Sequence, residues 1–263
     1  MKIRNALMLS MLLPMLAACS KTEAPGTPAA PAPAVPVTAE AAQPAAAETP
    51  APAAPDAPNN NQAVAPQGPA PVVGTDYLEI SAGQPWQPVA GKIEVVEMFN
   101  YICPACYSFD ATLRNWKSKQ PADVNLVYVP AQFRPDFVPY AKAFFAAQSL
   151  GIEEKSHQAV YEAIHVKRSI PAEGDAPDDA KVAAFYTQYG VSAEQFLNTM
   201  KSFAVAGRVN KANQFAMRSK IEGTPTLIVN GKYLVKGRSW DDMLRIADHL
   251  IATERAAQSG TAQ

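Results

Sequence analysis

Downstream of Thr75, the spacing of apolar residues alternates between the periods of strand and helix. Residues 77–80 predict a short strand. Residues 92–99 predict a stronger one: Val95, Val96, Met98 and Phe99 make it apolar on both faces, which suits the centre of a sheet. Directly after it, Cys106, Phe109, Leu113 and Trp116 recur at i, i+3, i+7 and i+10, the spacing of one helix face. Pro104 fits the first helical position, where its missing N–H costs nothing. Residues 124–129 then read as a second strand. A helical stretch follows. Phe137, Tyr140, Ala141, Phe144 and Phe145 form a wide apolar face, and Val160, Tyr161 and Ile164 mark another helix. Asp178 can cap a third, with Val182, Phe185 and Tyr189 on one face and Gly190 past its end. Ser192 and Gln195 have capping-box spacing ahead of Phe196, Leu197 and Met200, and Val205, Val209, Ala212 and Ala216 mark a fifth helix. Residues 226–229 and 233–235 flank Asn230-Gly231, a hairpin signal. Trp240, Met243, Leu244, Ala247, Leu250 and Ile251 define a final helix.

The order is strand–helix–strand, a helical insertion over about residues 136–220, then strand–strand–helix. The fold class is therefore α/β, and with the insertion set aside the arrangement is thioredoxin-like, with an inserted all-helical subdomain. Residues 75–263 are expected to form this one folded unit.

The N-terminal quarter behaves differently. Residues 24–71 comprise 48 positions, of which 13 are Pro and 18 Ala, and the only larger apolar side chains are Val35, Val37 and Val64. Such a stretch cannot bury enough surface to offset the entropy of ordering its backbone. It reads as a disordered Pro/Ala-rich tether over residues 19–74, with a Pro-rich recognition segment as the alternative. Fully extended it would reach on the order of 150 Å. Ahead of it, Lys2 and Arg4 precede an apolar run over residues 6–18 that is too short to span a bilayer, so residues 1–18 read as a signal peptide. The run ends in Leu16-Ala17-Ala18-Cys19, which resembles a bacterial lipobox and implies a lipid-bearing Cys19; the alternative is an ordinary secretory signal with a chance Cys. Ser20 follows, without the Asp that signals inner-membrane retention, so the sequence leaves open which membrane holds the anchor. The net charge of −1 and the absence of a long basic run argue against nucleic acid as a partner.

Of the three cysteines, Cys103 and Cys106 remain once Cys19 is set aside. A single tight CxxC in an exported chain removes little unfolded-state entropy, so it points to redox chemistry rather than stapling. No second CxxC completes a zinc site, and Tyr107 stands where haem attachment needs His; no metal or other cofactor is expected. At a helix N-terminus the free N–H groups and the dipole favour a thiolate, so Cys103 is the expected nucleophile and Cys106, one turn in, the resolving thiol. His157, His165 and His249 are scattered over helical segments and read as surface or packing residues, and the tryptophans Trp116 and Trp240 as core.

The stretch from Val95 to Phe109, with Glu97 and Cys103-Pro104-Ala105-Cys106, resembles the active-site segment of the DsbA family of periplasmic dithiol oxidases, and the resemblance extends over about residues 75–256, including Gly223-Thr224-Pro225-Thr226. It implies that Pro225 is a cis-proline facing the cysteines, that Thr224 offers backbone groups to a substrate peptide, and that Glu97 lies beneath Cys106 and assists its proton transfer. Pro104 and Ala105 would line the same substrate surface. Two residues depart from the family pattern. Ala105 replaces the commonest His and cannot favour the Cys103 thiolate, and Thr224 stands where the type member has Val. The first implies a higher Cys103 pKa and a less oxidising couple than the type member's, and Thr at the second position is common in disulfide isomerases and reductases.

The resemblance implies a monomeric thiol-disulfide oxidoreductase held by a lipid anchor in the periplasm. It would oxidise unfolded or newly exported cysteine-containing proteins and be recharged by a DsbB-like, quinone-linked membrane partner. The competing readings are a reductase or isomerase on the same fold, or a non-catalytic envelope lipoprotein that binds peptides.

Overall fold

The structure, a computed structural model, describes residues 59–260. The expected signal peptide, Cys19 and residues 19–58 of the expected tether lie outside the described residues. The elements are β1 (Tyr77–Glu79), β2 (Ile93–Phe99), α1 (Pro104–Lys117), β3 (Val124–Pro130), α2 (Val138–Ser149), α3 (Glu153–His165), α4 (Asp179–Phe185), α5 (Ala193–Met200), α6 (Phe203–Arg218), β4 (Thr226–Val229), β5 (Tyr233–Val235) and α7 (Trp240–Gly260). The sheet has the order β1-β5-β4-β2-β3. Strands β2 and β3 are parallel, as a helical crossover requires, and the other pairings are antiparallel.

Strand β2 is fully buried, which is why its sequence lacks a polar face. Ile93 and Val95 pack with Leu113 of α1 and Leu244, Ile246 and Leu250 of α7. Val96 and Met98 belong to the larger core built with the helical insertion, where Phe137, Tyr140, Phe144 and Phe145 are all buried. Phe99, at the strand's end, sits edge-on to Tyr101, Tyr128, Phe144 and Tyr161 at centroid distances of 5.1–6.3 Å. Trp116 is buried, and Trp240 packs tilted against Phe109 at 5.1 Å.

The local signals act as their chemistry requires. The Ser192 hydroxyl accepts from Gln195 N–H at 3.0 Å, and the Asp178 carboxylate accepts from Lys181 N–H at 2.9 Å. Asn230 and Gly231 take φ of 49° and 68°, the left-handed pair of a turn that Lys232 N–H closes on the Val229 carbonyl at 2.9 Å, so that Val229 pairs with Tyr233. Gly231 also lies so close to Gln84 that a Cβ would fall 2.1 Å from the Gln84 carbonyl carbon, so no other residue fits. The helix expected to run to Tyr189 is α-helical only to Phe185. It tightens to 3-10 geometry over Tyr186–Tyr189 before Gly190, at φ 86°, ends it.

Residues 59–74, which composition assigns to the tether, lie along the domain. Asn59 and Asn61 donate from their side-chain amides to the Gln120 and Ser118 carbonyls at 2.8–3.1 Å, Arg245 donates to the Pro69 carbonyl, and Val72 N–H donates to Asp76. Polar contacts of this kind leave no trace in apolar patterning, and they carry the ordered chain upstream of Thr75.

Candidate active site

Strand β2 delivers the chain to the N-terminus of α1 through the loop Asn100–Ile102. Asn100 is wholly buried and fixes this loop from three sides. Its amide donates to the Ala131 and Phe137 carbonyls at 2.9 and 3.1 Å, its side-chain oxygen accepts from Ile102 N–H at 3.2 Å, and its backbone carbonyl accepts from Cys103 N–H at 3.1 Å. His165 of α3 braces the same loop. Its Nε2–H donates to the Tyr101 carbonyl at 2.7 Å, and its ring stacks on Tyr107 at 4.7 Å. Sequence patterning does not single out Asn100 and leaves His165 as a surface or packing residue; a polar residue directly after the strand's apolar end at Met98 and Phe99 is the signal for the former.

Cys103 is the N-cap of α1, with Pro104 following at the first helical position. Its sulfur accepts from Cys106 N–H at 3.4 Å. No acidic residue lies in the first turn to oppose a thiolate. Both cysteines are free thiols. Their surroundings differ sharply. The Cys106 thiol donating to the Cys103 sulfur works against partial burial, and together with the Thr224 side chain and the backbone N–H groups of Cys106 and Ala105 it holds the Cys103 pKa down to about 6. Cys106 is fully inaccessible, and burial, reinforced by its donation to Cys103 and by Glu97, pushes its pKa well above the ordinary thiol range.

Facing them is the turn before β4. The Thr224–Pro225 peptide is cis, and the Thr224 carbonyl lies 3.5 Å from the Cys103 sulfur, within reach of its S–H. Thr224, Pro225 and Ala105 are half-buried and Pro104 is exposed, so these four residues border the small part of Cys103 that remains accessible, while Cys106 is sealed from solvent.

Glu97 lies in β2 between Leu227 of β4 and Tyr128 of β3. It is 1% exposed, and its Oε1 has no hydrogen-bond partner within the protein. Burial pushes its carboxyl up to about 8, helped by Asp110 and Cys103 and opposed by His157. Asp110 and His157 are the residues that the sequence reading did not connect to the site. Asp110, one turn beyond Cys106 on α1, is buried, ion-paired to Arg114 at 2.9 Å and 3.6 Å from His157 Nε2. His157 is 5% exposed and was read only as a surface or packing residue. Asp110 was detectable as an acidic residue inside the buried arc of its helix, next to Phe109. His249 lies at the surface with its Nε2–H toward the Gln67 carbonyl at 3.3 Å, far in sequence from the rest.

The site residues expected from the sequence thus meet at one place, Cys19 excepted, since it falls outside the described residues. The arrangement offers an activated thiol at a helix N-terminus that keeps only 8% of its surface exposed, a fully inaccessible thiol one turn behind it, and a buried carboxylic acid in β2 whose charge both thiols feel.

A family model described as a DSBA-like thioredoxin domain matches residues 138–250. The thiol:disulfide interchange protein DsbA of Pseudomonas aeruginosa is 42% identical over 188 residues, which cover 70% of this chain and 86% of that protein. The DsbA of Pseudomonas syringae is 39% identical over 189 residues. Among solved structures, the oxidoreductase DsbA of Xylella fastidiosa superposes with a TM-score of 0.67 at 45% identity, covering 71% of this chain and 98% of that one.

Proposed function

This chain belongs to the DsbA family of thiol:disulfide oxidoreductases, and from that premise we propose that Cys103 and Cys106 are the pair with which it introduces disulfides into exported proteins. The observation that carries this reading is the asymmetry of two thiols three positions apart: Cys103 caps the N-terminus of α1 with its sulfur accepting from the Cys106 N–H, and Cys106 is fully inaccessible behind it. In the oxidised enzyme a substrate thiolate attacks the Cys103 sulfur. The Cys103–Cys106 bond breaks, Cys106 leaves as a thiolate and takes up a proton, and a mixed disulfide joins Cys103 to the substrate. A second substrate thiolate then attacks the substrate sulfur and expels Cys103. The substrate gains a disulfide and the enzyme gains two electrons. Glu97 supplies the Cys106 proton: the two groups are electrostatically coupled, and the raised carboxyl pKa keeps that proton available at neutral pH. Thr224 and Pro225, with Pro104 and Ala105, border the surface on which an extended substrate would lie.

Residues 1–18 act as the signal peptide, Cys19 carries the lipid, and the Pro/Ala-rich residues after it space a monomeric domain from the periplasmic face of the membrane. A DsbB-like quinone-linked membrane protein removes the two electrons. A reductase is the second reading, and one observation favours it: Ala105 gives Cys103 no side-chain donor.

Two experiments on the whole chain test these statements. A Cys106→Ser variant should accumulate mixed disulfides through Cys103, and their absence would leave only a peptide-binding lipoprotein. Equilibration with glutathione buffers should give a potential above roughly −180 mV for a disulfide donor, whereas a value near −270 mV assigns the protein to the reductases.

A further inference from the structure

Besides His165, which braces the active-site loop, the inserted helical region sends a second histidine toward the redox site. His157 leaves α3 through a cage of aromatic rings, with centroids of Tyr128, Tyr101, Tyr161 and Phe99 at 4.5–5.5 Å, and reaches α1. Its Nδ1 lies 2.9 Å from the Tyr101 hydroxyl oxygen and 3.3 Å from Glu153 Oε1, and its Nε2 lies 3.6 Å from Asp110 Oδ1. Burial works against a charge on this ring, but Asp110 and Glu153 outweigh it and hold the pKa up to about 9. The imidazole is therefore a buried cation at neutral pH. Arg114 already pairs with the other oxygen of Asp110, so the charge on His157 is shared among Asp110, Glu153 and the nearby Glu97.

We propose that His157 is a positioning residue for the exchange chemistry: its imidazolium, clamped between Asp110 of α1 and Glu153 of α3, sets how readily Glu97 gives its proton to Cys106 and takes it back. This rests on the disulfide-exchange reading above. When Cys106 is expelled as a thiolate, Glu97 passes its proton to that sulfur and becomes a carboxylate with no hydrogen-bond partner for its Oε1. The uncompensated negative charge needs a cation, and His157 is the buried one that lowers the cost of ionising Glu97. In the reverse direction the same carboxylate removes the proton from Cys106 before it attacks the mixed disulfide at Cys103. The ionisable groups around the imidazole are Asp110 on α1, which also pairs with Arg114, Glu153 and Tyr161 on α3, Tyr101 in the loop after β2, Tyr128 on β3 and, through its charge, Glu97 on β2; Glu153 in turn acts on Arg208 of α6 and on Tyr186. The insertion thereby tunes the proton chemistry of the resolving cysteine from the side opposite the substrate.

The test uses the full chain and two readouts. The first is the infrared band of the buried Glu97 carboxylic acid, assigned by its loss in Glu97→Gln and titrated against pH. The second is the pH midpoint of the rate at which Cys106 resolves a Cys103–glutathione mixed disulfide. In His157→Gln both midpoints should rise by about one pH unit, the scale on which an adjacent opposite charge moves a carboxyl, and His157→Lys should restore them. Glu153→Gln weakens the hold on the imidazolium and should move both midpoints the same way, which keeps the test intact if the first variant does not fold. An unmoved Glu97 band overturns the inference, as does a band that moves while the resolution rate does not. A wild-type chain that performs no exchange overturns the proposed function instead, whatever the band does.

Discussion

Replacing Ala105 with His asks whether stabilising the Cys103 thiolate sets the poise of the couple. Ala105 is half-buried at the first turn of α1 and gives the neighbouring sulfur only its backbone N–H. With a pKa of about 6, thiolate formation stabilises the reduced enzyme at pH 7 by about 1.4 kcal/mol, which for a two-electron couple is about 30 mV. An imidazole donor or cation beside the sulfur lowers the pKa by about two units more. The stabilisation at pH 7 then becomes about 4 kcal/mol, or about 90 mV, so Ala105→His should raise the reduction potential by about 60 mV. The oxidised form has no thiolate and is left unchanged.

The sign can be checked by pH. The folded pKa of Cys103 lies below that of an unfolded thiol, so its contribution to the stability of the reduced protein is complete above about pH 8.5. It is lost as the pH falls through about 6 in the wild type, and through a value about two units lower in the variant. Ultraviolet absorbance of the thiolate gives the pKa, glutathione equilibration gives the potential, and denaturant melts of both redox forms give the stability difference. A pKa that falls as expected while the potential moves by less than about 20 mV would refute the link from thiolate to poise.

Three further outcomes follow from the same structure. Glu97 ionises near 8 in the fold against 4.5 unfolded, so its buried carboxyl costs stability that grows as the pH rises above about 4.5; Glu97→Gln should gain about 3 kcal/mol at pH 7 and nothing at acidic pH, and a gain independent of pH would contradict the burial argument. Phe99→Ala empties the centre of the aromatic cluster and should cost about 3–5 kcal/mol in a denaturant titration, a loss under about 1 kcal/mol showing that the cluster does not hold the helical insertion to the sheet. Ser192→Ala removes the cap of α5 and should cost about 1 kcal/mol, with Ser192→Asp retaining wild-type stability; equal losses in the two variants would assign the effect to something other than capping.

The parts of this molecule that the sequence discloses are those fixed over short separations. The hairpin needs only the left-handed tolerance of Asn230 and Gly231, and the helix start at Cys103 needs only Pro104 and the spacing of Cys106 and Phe109. Glu97 was legible because a carboxylate between Val96 and Met98, within the apolar stretch that ends at Phe99, contradicts its surroundings. Asp110 and His157 were not, because their meaning arises only when α3 docks against α1, and neither helix betrays the other's register. The ordered residues 59–74 were hidden for a related reason. They are held by amide and guanidinium contacts to backbone carbonyls, which any polar segment can make and no periodicity announces.

The two cysteines also show why such a site can be retuned without refolding the domain. Cys103 draws its low pKa from the Cys106 thiol, the Thr224 side chain and the first-turn N–H groups of α1, none of which depends on the side chain at 105. Ala there leaves this backbone contribution intact and adds nothing to it. Cys106 draws its high pKa from burial, which the fold sets, and from Glu97, whose own ionisation answers to His157. The outer thiol therefore keeps its low pKa from groups the fold supplies and is open to further adjustment at position 105, and the inner one answers to charges that the helical insertion carries. A substitution at 105 should shift the potential with little effect on the Cys106 proton step, and a substitution at 157 should shift that step's pH midpoint while the Cys103 pKa stays near its wild-type value, because the groups that hold the Cys103 pKa down do not include that ring.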